Sequence, residues 1–146
     1  MKAPDLFSDA DRERVRVAVS EAELLSSGEI RVYIEDECKG NVLDRAAFVF
    51  EELEMHLTEL RNGVLIYLAV ESKKFAIIGD AGINAHAVNN FWDEVKSGMA
   101  GIFSEGRIVD AIVHGVSESG KLLVEKFPRS ETDKNELSDD IVFGGE

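Results

Sequence analysis

The sequence predicts an α/β fold, a three-layer α/β/α sandwich on a small mixed β-sheet. Three observations carry this expectation. Val64 to Val70 is an unbroken apolar run without alternation, as a central strand covered on both faces requires. The Glu71-Ser72-Lys73-Lys74 link that follows is too short for a crossover, so the next apolar run, Phe75 to Ile78, must return antiparallel. The remaining chain has helical period on either side, and the order helix, strand, helix, strand, strand, helix, helix leaves a small sheet with helices to cover it.

Ser8 opens the first helix with Asp11 three residues on, a capping-box spacing that also places acid at the positive helix end. Val15, Ala18, Val19, Ala22 and Leu25 form its buried face to about Ser26, and Gly28 stops it. Glu29 to Glu35 alternates, with Ile30, Val32 and Ile34 on one side and Glu29, Arg31, Tyr33 and Glu35 on the other, so this strand has one fully apolar face. Glu35-Asp36-Glu37 ends it. Asn41 caps a second helix whose face is Leu43, Ala47, Phe50, Leu53 and Leu57, to about Leu60. After the hairpin, Asn84 is expected to cap a third helix carrying Ala87, Phe91, Val95, Met99 and Ile102. Ser104-Glu105-Gly106 turns the chain into a fourth, Arg107 to Phe127, that buries Ile108, Ile112, Val116 and Leu123. Gly115 on that helix allows close approach to the sheet, and Pro128 ends it.

At 146 residues the chain suits one domain, placed at 1–128, with an acidic tail at 129–146 whose composition suggests a mobile end, its apolar patch Ile141-Val142-Phe143 leaving docking on the body as the alternative. Acids outnumber bases 29 to 16, a net charge of -13 that repels a phosphate backbone. Nucleic acid and anionic membrane are therefore poor partners, whereas cations or basic proteins fit. Cys38 has no second cysteine to pair with and reads as a solvated or half-buried bystander. No run approaches the roughly 20 apolar residues of a membrane span, and the N-terminus lacks an apolar export segment, so a cytoplasmic location is expected.

Several stretches match one family in order: Gly28-Glu29-Ile30; Arg61-Asn62-Gly63-Val64-Leu65-Ile66-Tyr67; Lys73-Lys74-Phe75; Ile77-Ile78-Gly79-Asp80-Ala81-Gly82-Ile83-Asn84; and Phe91-Trp92-Asp93. This set resembles the TPM domain family, named for thylakoid lumen, photosystem repair and acetylcholine-receptor modulator proteins. Asn135 to Phe143 is similar to the ending of its stand-alone bacterial branch. The resemblance spans nearly the whole chain and implies a Rossmann-like sandwich. For function it implies different things. Plant relatives are associated with photosystem II repair and described as acid phosphatases, a bacterial stand-alone relative is described as calcium-binding, and many bacterial members are membrane-anchored. This chain is expected to be a soluble, monomeric, single-domain member. It also departs from the family. Many members carry Glu after the Gly-aliphatic pair and Asp a few residues on, where this chain has Asn84 and then Asn89 or Asn90, so a bound cation would receive fewer formal charges.

A crossover helix between the first two strands makes them parallel, and the third strand returns antiparallel. Glu29, Asn62 and Asp80 are therefore expected at one sheet edge, beside Asn84 with Asn90 further on. Two carboxylates with amide and backbone oxygens suit a hard divalent cation, calcium or else magnesium, better than zinc. The competing reading has Asp80 capping a helix or turn and Glu29 solvated at a strand end. The opposite edge is the runner-up: Glu35, Asp36 and Glu71 follow the parallel strands and Glu105 is expected nearby, with Lys73 and Lys74 offsetting charge. A plain solvated turn competes there. No nucleophile–base pair, paired histidines or phosphate loop is present, so no catalytic residue is assigned. The function expected is a non-catalytic, divalent-cation-binding domain that acts through an unidentified protein partner. The alternative is a metal-dependent acid phosphatase, a phosphoric monoester hydrolase.

Overall fold

The computed structural model describes residues 2–88, 90–129 and 141–144. Its sheet comprises β1 (Glu29–Glu35), β2 (Gly63–Ala69), β3 (Lys74–Gly79) and β4 (Val142–Phe143), in the order β3-β2-β1-β4. β1 and β2 are parallel, with Glu29 opposite Gly63 and Glu35 opposite Ala69. β3 returns antiparallel along β2, placing Gly79 opposite Val64, so the sheet is mixed. β4 adds to the free edge of β1 in parallel, with Val142 opposite Tyr33.

Strand alternation divides the core between two helical layers. Ile30, Val32, Ile34, Val64, Ile66, Leu68 and Ile77 face α1 (Asp9–Leu25), α4 (Phe91–Ser104) and α5 (Ile108–Lys126), where Val15, Val19, Val95, Met99, Ile112 and Leu123 meet them. Leu65, Tyr67, Ala69 and Ala76 face α2 (Val42–Glu52), which contributes Ala46, Val49 and Phe50, with Met55 just beyond it. A fully buried side chain such as Ile66 or Ile112 is worth about 1.5–3 kcal/mol. A Cβ on Gly115 would stand 2.7 Å from Met99 Sδ and 3.1 Å from Ile66 Cδ1, so the glycine allows α5 to seat against α4 and β2.

Both early caps form as the sequence suggests: Ser8 Oγ accepts from Asp11 N at 3.0 Å, and Asn41 Oδ1 accepts from Asp44 N at 3.0 Å. The face of α2 does not. Val42, Ala46, Val49, Phe50 and Leu53 pack, whereas Ala47 and Leu43 are exposed and Leu57 is 64% exposed. Residues on either side of Phe50 satisfy helical spacing for two adjacent stripes, and the one that fits over Tyr67 is taken. The helix also ends at Glu52, where Glu54 adopts a positive φ of 59° and a short 3-10 turn, Met55–Leu57, follows. Leu25 is 63% exposed, because the chain reverses at Ser26 to pair with Pro128.

The expected third helix is two. Asp80, rather than Asn84, is the N-cap of a single turn, α3 (Ala81–Asn84), and α4 begins at Phe91 after Asn90. Gly82 is held against the loop before β2: its N donates to Arg61 O at 2.7 Å, and a Cβ there would overlap Leu60 O and lie 2.6 Å from Arg61 O. That backbone contact fixes the turn before a long helix can propagate.

Candidate functional site at the sheet edges

The amino-terminal edge is where the start of β1, the start of β2 and the end of β3 coincide. Glu29, Gly63 and Asp80 are neighbours across the ladder, and Asp80 N donates to Gly63 O at 2.9 Å. Both acids are buried, Glu29 to 1% exposure and Asp80 to 7%, so neither is a solvated end. Buried oxygen-bearing side chains concentrate here: Glu23, Ser26, Glu29, Thr58, Asn62 and Asp80. Glu23 reaches in from α1, its Oε2 accepting from Ile30 N at 2.9 Å.

Asp80 has two local duties. Its Oδ1 accepts from Ala81 N at 2.8 Å, capping α3, and the Arg61 guanidinium grips both carboxylate oxygens, Nε to Oδ2 at 2.6 Å and Nη2 to Oδ1 at 2.8 Å. The hydrogen bonds and the charge of Asp80 raise the Arg61 pKa above its already high ordinary value. Arg61 adopts a positive φ of 52°, which aims it back over the edge, and its side chain is 51% exposed.

The structure gathers the expected residues along this edge but turns their polar atoms apart. Asn62 precedes Gly63, so alternation directs it to the other face, where Nδ2 reaches Ser27 Oγ at 3.4 Å. Asn84 Nδ2 donates to Gly79 O at 2.8 Å and its Oδ1 accepts from Trp92 Nε1 at 2.8 Å. Asn90 Nδ2 donates to Glu94 Oε1 at 3.3 Å. Among the described residues no three His, Cys, Asp or Glu side chains are arranged to hold a metal ion. A cation at this edge would have to draw on amide and backbone oxygens as well and displace Arg61 from Asp80.

The carboxyl edge is built differently. Glu35, at the end of β1, is buried, with Arg45 Nε and Nη2 each 2.8 Å from a carboxylate oxygen and the Tyr67 hydroxyl donating to Oε2. Burial pushes the Glu35 carboxyl up, but the Arg45 and Tyr67 hydrogen bonds outweigh it and hold the pKa below the ordinary glutamate value. Burial and the Glu35 hydrogen bond drive the Tyr67 hydroxyl far above its ordinary value. Asp36 Oδ1 accepts from Ala3 N at 2.6 Å and so pins the N-terminus, while Glu71 N bonds Asp36 O at 2.8 Å. Glu105 pairs with Arg107 at 2.9 Å. Lys74 Nζ lies 3.1 Å from Cys38 O and 3.0 Å from Gly40 O, closing the loop above an open cleft of about 480 Å³ lined by residues of 35–45. Cys38 is buried rather than solvated, its Sγ 3.6 Å from Gly40 O. Glu35 is thus a structural carboxylate, and the edge is more than a solvated turn.

Arg61, Arg45 and Tyr67 are the residues that sequence reasoning passed over as site builders. Tyr67 carried a signal: a hydroxyl inside an aliphatic central strand must find a buried partner.

The family model of the TPM domain matches residues 2–122. The chain belongs to the TPM domain family. Solved TPM-like structures agree with the fold. The NMR structure of the BA42 protein from the psychrophilic bacterium Bizionia argentinensis is 38% identical, covers 94% of this chain and 95% of its own, and superposes with a TM-score of 0.87. The N-terminal domain of cg2496 from Corynebacterium glutamicum gives 0.66 at 11% identity over 89% of this chain and 81% of that one, and that of a P. gingivalis protein 0.67 at 16% over 84% and 79%. These last two speak to the fold alone. No curated protein matches. Among the described residues, no helix of this TPM domain is long and apolar enough to cross a membrane.

Proposed function

We propose that this TPM domain is a non-catalytic module that takes up a divalent cation, calcium before magnesium, at the amino edge and acts through a protein partner. One observation supports the reading above others: of the buried polar side chains, Glu23, Ser26, Glu29, Thr58, Asn62 and Asp80 all lie at that edge. Burying so many oxygens together costs free energy unless they are matched by donors or by a cation. Asp80 and Glu29 would supply charge and Asn84 an amide oxygen once it leaves Trp92, whereas Asn62, on the other face, and Asn90, held by Glu94, would have to reorient to join them. The net charge of -13 favours cation capture. Arg61 is the resident counter-ion, and an incoming cation competes with it for Asp80.

The chain has a single tryptophan, and its indole N–H donates to Asn84 Oδ1, the oxygen a cation would take. Calcium titration is therefore expected to change Trp92 emission and to shift the amides of 79–84 and Glu29 in a heteronuclear correlation spectrum. Flat emission and unmoved amides at millimolar calcium sink the reading. A metal-dependent acid phosphatase would use the same cation to activate water. Turnover of an aryl phosphate that disappears in Asp80→Ala would replace the non-catalytic reading with that one.

A further inference from the structure

The free edge of β1 is closed by the far end of the chain. Gly144 N donates to Ile34 O at 2.9 Å just beyond the Val142–Tyr33 and Phe143–Ile34 pairs. The Phe143 ring centroid lies 6.0 Å from that of Phe7, and the Arg12 guanidinium stands 4.9 Å from the Phe143 ring centroid. Gly144 passes over Tyr33: a Cβ there would overlap the tyrosine hydroxyl and lie 2.7 Å from Cε1. A two-residue strand gains little from its ladder, so the aromatic pair and the glycine crossing set what the seat accepts, an extended aliphatic-Phe-Gly segment.

Register fixes how much chain this closure needs. Pro128 bridges Ser26 and Val142 faces Tyr33. The path from Ser26 to Tyr33, strand only from Glu29 on, is at most about 23 Å at about 3.3 Å per residue. The chain from Pro128 to Val142 can extend to about 46–50 Å. The number of residues available is about twice what the distance requires, enough for the segment to reach the same seat on a neighbouring molecule as well.

We propose that the outer edge of β1 is an exchangeable strand seat whose occupant in trans is the 141–144 segment of a second copy of this chain, giving a reciprocal strand-exchanged dimer. The inference does not depend on the cation reading. Contacts are the same in cis and in trans, so the balance rests on the connector. With the natural connector, exchange requires protein near the effective concentration of the tethered segment, of the order of millimolar. The net charge of -13 opposes the encounter further, so salt favours the dimer. Shortening the connector closes the cis route and leaves the trans route open.

The test is the full chain with residues 131–140 deleted, whose remaining Pro128-to-Val142 span reaches only about 13–14 Å. At micromolar concentration, sedimentation velocity is expected to find the wild type monomeric and the deletion variant dimeric. Adding Phe143→Ala and Gly144→Val to the deletion returns it to monomer. A monomeric deletion variant overturns the proposal, as does a dimer that survives those two substitutions. A second measurement stands apart from any folding defect of the deletion: full-length chain carrying Phe143→Ala and Gly144→Val, with a synthetic peptide of residues 139–146 added. The peptide is expected to restore wild-type amide shifts at Phe7, Tyr33 and Ile34, and no response at those residues overturns the seat itself.

Discussion

Arg61 closes on Asp80 with two parallel hydrogen bonds of 2.6 and 2.8 Å, so the acid best placed for a cation already holds one. The same carboxylate caps α3 through Ala81 N, which ties the ion pair to the entry of the helix. Because Arg61 is half exposed, its guanidinium can leave into solvent without disturbing the core. Substituting Arg61→Gln leaves the buried Asp80 carboxylate without its counter-ion, and is therefore expected to lower the melting temperature and to tighten calcium binding, measured by calorimetric titration. Unchanged or weaker binding would mean that Arg61 does not compete.

Gly82 is the hinge of this geometry. A methyl group at Gly82 would meet the carbonyls of Leu60 and Arg61, which are backbone and cannot rotate away. Overpacking costs typically about 1–3 kcal/mol, and Gly82→Ala is expected at or above the upper end in denaturant unfolding. It should also move the Arg61 and Ala81 amides. A loss under about 1 kcal/mol would show that the loop gives way.

Tyr67→Phe removes, with little change of shape, the hydroxyl that donates to Glu35 at the carboxyl edge. Hydrogen bonds to charged groups are worth about 1.5–3 kcal/mol, and the loss is expected in that range because Arg45 retains its hold on the carboxylate. Chemical denaturation of the two proteins at neutral pH measures it.

Glu35 sets an acid limit. Its folded pKa is depressed, so its contribution to stability is present above the ordinary carboxylate value of about 4.3 and is lost as pH falls through the lower folded value. Wild type should lose stability on acidification below about pH 5 more steeply than Glu35→Gln, although the variant is less stable at pH 7. Parallel pH profiles of the two proteins would contradict this.

The fold was legible because its strongest signals are local. The Ser8 and Asn41 caps, the alternation of Glu29–Glu35 and the short link after Val70 each act within a few residues. The same link, read with the crossover helix, was enough to bring Glu29 and Asp80 to one edge. Periodicity could not choose between two overlapping stripes on α2, since that choice depends on the bulk of Tyr67 beneath it. Nor could it break the helix after Asn84, because the contact between Gly82 and the Leu60–Arg61 backbone spans some twenty residues of chain. Side-chain partners were the least legible. Arg12 on α1 covers Phe143 from the other end of the sequence, a contact that no local pattern announces. Asn84 Oδ1 looked free for a ligand, yet it accepts from Trp92.

The β2–β3 hairpin, described above as the source of the shared edge, also bears on how the molecule assembles. Its two strands are separated by only Val70-Glu71-Ser72-Lys73, whereas pairing β1 with β2 spans α2 and pairing β1 with β4 joins distant ends of the chain. Local pairings close with the smallest loss of chain entropy, and an isolated hairpin forms in about 1–10 μs. The expected order of events is hairpin first, β1 next and β4 last. Conservative substitutions at Leu65 and Ile77 should slow refolding, whereas Phe143→Ala should act almost wholly on unfolding. The edge that carries Asp80 would then be among the first parts of the molecule to acquire its final geometry.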